Sequence, residues 1–81
     1  MFDYTIYPDN NPKLFKDTCT LIEKELTGLS KENLLIDVDG STIQVYYYNN
    51  LEIKVLDDYE VGAVYVISEY NLDDILRNES F

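Results

Sequence analysis

Between residues 12 and 27 the apolar side chains Phe15, Cys19, Ile22 and Leu26 recur at spacings of 4, 3 and 4. That is the period of one helix face, and Leu14 and Leu21 widen the stripe. Asn11 suits the N-cap and Pro12 the first helical position. Gly28 suits the left-handed residue that ends a helix, with Leu29 as its apolar contact. The pattern therefore predicts a helix over 12–27. Before it, "FDYTIY" (residues 2–7) alternates with period 2 and predicts a strand, broken by Pro8 through Asn11.

After the helix the alternation has to be read through its turns. Asp39-Gly40 is a favoured two-residue hairpin turn, which pairs Val38 with Ser41, Ile36 with Ile43 and Leu34 with Val45. Every apolar residue then meets an apolar one. Leu34, Ile36, Val38, Ile43, Val45 and Tyr47 share a face, and Asp37, Gln44, Tyr46 and Tyr48 share the other. A two-residue loop at Asn49-Asn50 would pair Tyr46 with Ile53 and Val45 with Lys54, moving the core face from one side to the other between neighbouring strands. A three-residue loop, Tyr48-Asn49-Asn50, pairs Tyr47 with Leu51, Val45 with Ile53 and Ile43 with Val55, and keeps one apolar face. The expectation is Tyr47 inside, Tyr46 outside and Tyr48 at the outer loop edge.

"AVYVIS" (63–68) is a further strand, apolar on both faces, which suits a strand shielded twice or one whose outer face binds something. "NLDDILRN" (71–78) reads as a short helix. Asn71 is its cap, Asp73 and Asp74 lie at its positive end, and Leu72, Ile75 and Leu76 form its apolar side. The expected architecture is a single α+β domain, 1–81, in the order β-α-β-β-β-β-α. It is an antiparallel β-meander with one main helix packed on one face and a short C-terminal helix. The pattern leaves open where strand 2–7 enters the sheet.

Charge changes this picture more than composition does. The net charge is −10, beyond the ~2–8 that suits a small soluble domain. Self-repulsion of this size works against compaction and disfavours binding to nucleic acid or an anionic membrane; it favours a basic partner. The charge is also unevenly spread. Residues 1–31 hold five acids and four lysines, whereas residues 32–81 hold eleven acids against Lys54 and Arg77. No apolar run reaches membrane-spanning length, and the first residues carry no signal-like segment, so a cytoplasmic setting is expected. The single cysteine, Cys19, fits that setting and lies on the helix's apolar stripe, as a small buried residue.

Catalytic chemistry finds little footing. There is no histidine, which removes the commonest general base and most zinc sites. The glycines Gly28, Gly40 and Gly62 form no phosphate loop, and the serines sit in no nucleophile motif. "DVDG" at 37–40 fails as a calcium loop, because Leu35 and Tyr46 then occupy the positions of the first and last ligands. No metal site, cofactor or enzymatic activity is expected. What remains is a surface: Asp37, Asp39, Gln44, Tyr46, Tyr48, Glu52, Asp57, Asp58, Tyr59 and Glu60 are the candidate partner-binding residues. Tyrosine offers large contact area at low entropic cost, and carboxylates steer a basic partner.

These features point to a small acidic inhibitor that binds a basic, nucleic-acid-binding protein. In character, though in no motif, it is similar to phage-encoded DNA mimics and anti-CRISPR proteins. An immunity protein or antitoxin that neutralises a toxin such as a nuclease would need nearly the same face. A non-inhibitory adaptor or oligomeric assembly subunit would instead bury Leu35, Leu56, Tyr65 and Ile67 against its neighbours.

Overall fold

A computed structural model describes residues 1–76. Its element order is β1 (Phe2–Tyr7), α1 (Pro12–Glu25), β2 (Ser30–Lys31), β3 (Leu35–Ile36), β4 (Thr42–Tyr48), β5 (Leu51–Asp58), β6 (Ala63–Ser68) and α2 (Asp73–Leu76). The six strands form one antiparallel sheet in the order β1-β6-β5-β4-β2, with β3 also paired to β4. The fold is thus α+β as expected, with one main helix and one short helix. Arg77 and Asn78 of the expected terminal helix lie outside the described residues.

Helix α1 begins as its sequence dictates. The Asn11 side chain accepts from the Leu14 N–H at 3.0 Å, with Pro12 in the first turn. It ends at Glu25, two residues earlier than the spacing predicts, because Leu26 turns to an extended conformation. Leu26 is nonetheless buried with Phe15, Cys19 and Ile22. These side chains cover Tyr46, Ile53, Val55, Val64 and Val66 of the sheet, and Leu72 and Leu76 close the same core. Both helices therefore lie on one face. The opposite face has no covering element among the described residues.

Strand β1 enters at the sheet edge beside β6, with Phe2 opposite Ser68 and Tyr4 opposite Val66. The Tyr4 hydroxyl ties this edge to the chain's far end: it accepts from the Leu72 N–H at 2.9 Å and donates to Asp73 at 2.7 Å.

Both hairpin loops differ from expectation by one residue, in opposite senses. The first has three loop residues: Asp37 N–H donates to Ser41, Gly40 N–H donates to Asp37, and Leu35 pairs with Ile43. Gly40 takes the left-handed position with φ +90°, as the bulged three-residue loop requires. The second loop has two residues, with Tyr48 opposite Leu51, Tyr46 opposite Ile53 and Val45 opposite Lys54. Asn49 and Asn50 both have positive φ, 51° and 65°. This is the primed turn whose twist matches the strands. β5 keeps Ile53 and Val55 inside, but β4 is turned over. Tyr46, 0% exposed, is core, and Tyr47, 38% exposed, faces out. The anticipated pairings Val45–Ile53 and Ile43–Val55 do not form.

Candidate protein-binding face

Register fixes what the uncovered face presents. One row across the sheet runs Thr5, Tyr65, Leu56, Ile43, Leu35; the next runs Asp3, Ile67, Lys54, Val45. Tyr47 and Glu52 stand opposite each other at one end, Asp58 and Ala63 at the other. The centre is therefore aliphatic and aromatic. Ile43, Val45, Leu56, Tyr65 and Ile67 are half-buried by their neighbours. Carboxylates lie at the margins, and the one cation within the rows, Lys54, sits 3.7 Å from Glu52. Beside Tyr65 a depression of about 290 Å³ is lined by Asp3, Thr5, Val61 and Ala63.

At one end of the sheet the β3–β4 and β5–β6 loops lie side by side. Tyr59 N–H donates to the Ser41 hydroxyl at 2.8 Å. The Tyr59 ring lies against Gly40 so closely that a Cβ there would meet it at 3.0 Å. This contact brings together five of the expected site residues: Asp37, Asp39, Asp58, Tyr59 and Glu60. Most of the acids also hold their own turns. Asp37 accepts from Val38 N–H and Asp39 from Ser41 N–H. Asp58 accepts from the N–H groups of Glu60 and Val61 and from the Tyr65 hydroxyl at 2.8 Å. The Tyr65 hydrogen bond, with the two N–H groups, holds the Asp58 carboxyl below its ordinary value. Burial, and then the same bond, pushes the Tyr65 phenol up to about 12.

Four expected site residues lie on the covered face, and three of them are buried and cannot meet a partner there. Tyr46 is enclosed beneath α1 and donates to Glu23 at 2.5 Å. Burial and that carboxylate hold its phenol far above the tyrosine range. Burial acts to raise the Glu23 carboxyl, but the hydrogen bonds from Tyr46 and Lys31 outweigh it and hold it low. Gln44, 4% exposed, donates to the Glu32 carbonyl at 2.6 Å. Asp57, 3% exposed, accepts from the Asn10 amide at 2.9 Å. Tyr48 is also on this side, edge-on to the Tyr70 ring at 5.0 Å. For Gln44, Tyr46 and Tyr48 the cause is the two-residue turn at Asn49-Asn50, which exchanges the two faces of β4; Asp57 is buried because β5 runs on to Asp58 and keeps it on the face of Ile53 and Val55. Glu52 does lie on the open face, at the opposite end from the acidic loops.

Sequence reasoning named Leu35, Leu56, Tyr65 and Ile67 as outer apolar residues but missed Ile43, Val45 and Tyr47, which it placed inside. It also missed Asp3 and Thr5, whose positions depend on the β1–β6 pairing. No helix among the described residues is long and apolar enough to cross a membrane. The chain matches no family model, no curated protein and no solved structure.

Proposed function

We propose that this protein is a small acidic inhibitor that docks on a basic, nucleic-acid-binding protein through its uncovered sheet face. One observation carries the reading: an apolar centre of Val45, Leu56, Tyr65 and Ile67, bordered by carboxylates, on the face that neither helix covers. An interface with an apolar core and a polar rim is the usual anatomy of protein recognition. The acidic loops at Asp37–Gly40 and Asp58–Glu60 act at longer range, steering a basic surface towards the face and discriminating against acidic ones. Mimicry of nucleic acid on this geometry is mimicry by field at one end of the sheet, with affinity supplied by the apolar rows. A cytoplasmic setting accords with the single unpaired cysteine, buried at Cys19.

The test is capture of the partner from the source cell, its identification by mass, and a titration with the purified pair. Val45→Glu and Ile67→Glu, which alter the face without touching the core, should each weaken binding by about 2 kcal/mol or more. Asp37→Lys should mainly slow association and reduce its salt dependence. Parent-like affinity in both face variants would reject this face as the interface.

A further inference from the structure

The two sheet edges that no strand joins among the described residues are built differently. β1 is guarded: its pairing with β6 slips between Thr5 and Tyr7, Pro8 follows at once, and Asp3 is exposed on it. Bulges, prolines and edge charges are the devices that prevent strand-to-strand association. The other edge has a one-residue register slip against β4 between Lys31 and Leu35, but it has no proline, and its centre, Leu34 to Ile36, carries no charge. Every residue from Lys31 to Gly40 is exposed, and the segment includes Leu34 at 48%, Leu35 at 53%, Ile36 at 70% and Val38 at 104%. Four consecutive or near-consecutive aliphatic side chains in water are more than a monomer ordinarily displays. This arm stands away from α1, and between them lies an open groove of about 270 Å³, floored by Phe15 and Cys19 and flanked by Leu34.

We propose that the arm is the contact between two copies of this chain, laid antiparallel about a two-fold axis at Leu35. The exposed apolar centre of the segment selects the occupant and the register. Centring on Leu35 sets Leu35 against its own symmetry mate and Leu34 against Ile36. It also places Asn33 against Asp37, where the extended segment ends at the turn, so no acid faces an acid along it. Leu34 and Ile36 both lie towards the helix side of the sheet, where Ile36 of the second copy sits at the groove mouth. Such a contact is isologous, as two-fold dimers require. Leu34, Leu35 and Ile36 supply the apolar centre of such a contact, to which each partner contributes ~800 Å² at standard size. The remaining charge of the two chains is largely screened beyond about 8 Å at physiological salt. This contact leaves the centre of the uncovered face free, and it stands or fails independently of the partner proposed above.

The experiment is mass measurement by light scattering and sedimentation at about 0.1 mM chain and 0.15 M salt. The parent should have twice the 9.5 kDa chain mass. Leu35→Asp and Leu35→Lys each place like charges on the two-fold axis. Each alone should be monomeric, with association at least 30-fold weaker and an unchanged circular-dichroism spectrum. An equimolar mixture of the two should recover the dimer, which a misfolded variant could not do. A monomeric parent, a dimer that survives either substitution, or a mixture that stays monomeric would each overturn the proposal. A monomeric parent that still binds the basic partner would leave the functional reading standing.

Discussion

Tyr46 and Tyr47 are neighbours in sequence with opposite surroundings. The first lies under α1 with its hydroxyl on Glu23; the second is exposed beside Glu52. Tyr46→Ala should therefore cost about 3–5 kcal/mol, as large-to-small changes of buried aromatics do. Tyr47→Ala should leave the denaturation midpoint almost unmoved. Urea titration of both variants checks the assignment of faces directly. Protons give a second test. The Tyr46 phenol is held above its ordinary value, so its contribution is fully present below about pH 10, where unfolded tyrosine titrates, and is lost as pH rises further. Its share of the alkaline slope is about 1.4 kcal/mol per pH unit, and Tyr46→Phe should remove it. Glu23 and Asp58 have lowered values. Their contributions are present above about pH 4 and fade as pH falls below it.

Among the elements, the Asn49-Asn50 turn decides most. Both residues occupy the left-handed region, which glycine enters freely and β-branched residues enter at a cost. Asn50→Gly should raise stability by about 0.5 kcal/mol, and Asn49→Val should lower it by about 1–2 kcal/mol. Equilibrium unfolding with an unchanged denaturant slope is the check. Helix α1 and strand β5 were legible in the sequence because each has one clearly apolar face: Phe15, Cys19, Ile22 and Leu26 in the helix, Ile53 and Val55 alternating with Glu52 and Lys54 in the strand. Strand β4 was not legible. Ile43, Val45 and Tyr47 form one plausible core set and Gln44, Tyr46 and Tyr48 another, so alternation alone cannot choose. The choice rests on the twist-matched turn and on a helix residue, Glu23, that stands 23 positions away in sequence and accepts from the Tyr46 hydroxyl. The acidic end of the site was readable because its residues sit in two turns. The apolar rows were only partly readable, since they depend on the flipped strand and on where β1 pairs.

For the molecule as a whole, charge and topology set the behaviour. Helix α1 is balanced, with Lys13, Lys16 and Lys24 against Asp17, Glu23 and Glu25. The excess of carboxylates therefore belongs to the sheet, its loops and the C-terminal segment. Relief of their repulsion should make the melting temperature rise as sodium chloride is raised from about 20 to 500 mM, most steeply at the low end. A calorimetric melt series checks this, and a flat or falling profile would show that local ion pairs dominate instead. Topology acts earlier in the life of the protein. The neighbour that β1 requires, β6, is made some 60 residues after it. At ~5–20 residues per second that interval is on the order of 3–12 s. Throughout it a tyrosine-bearing ribbon, Phe2 to Tyr7, has no β6 edge to join. The earliest-made strand of this sheet is thus among the last to be secured, and until then it stays open to chaperones and proteases.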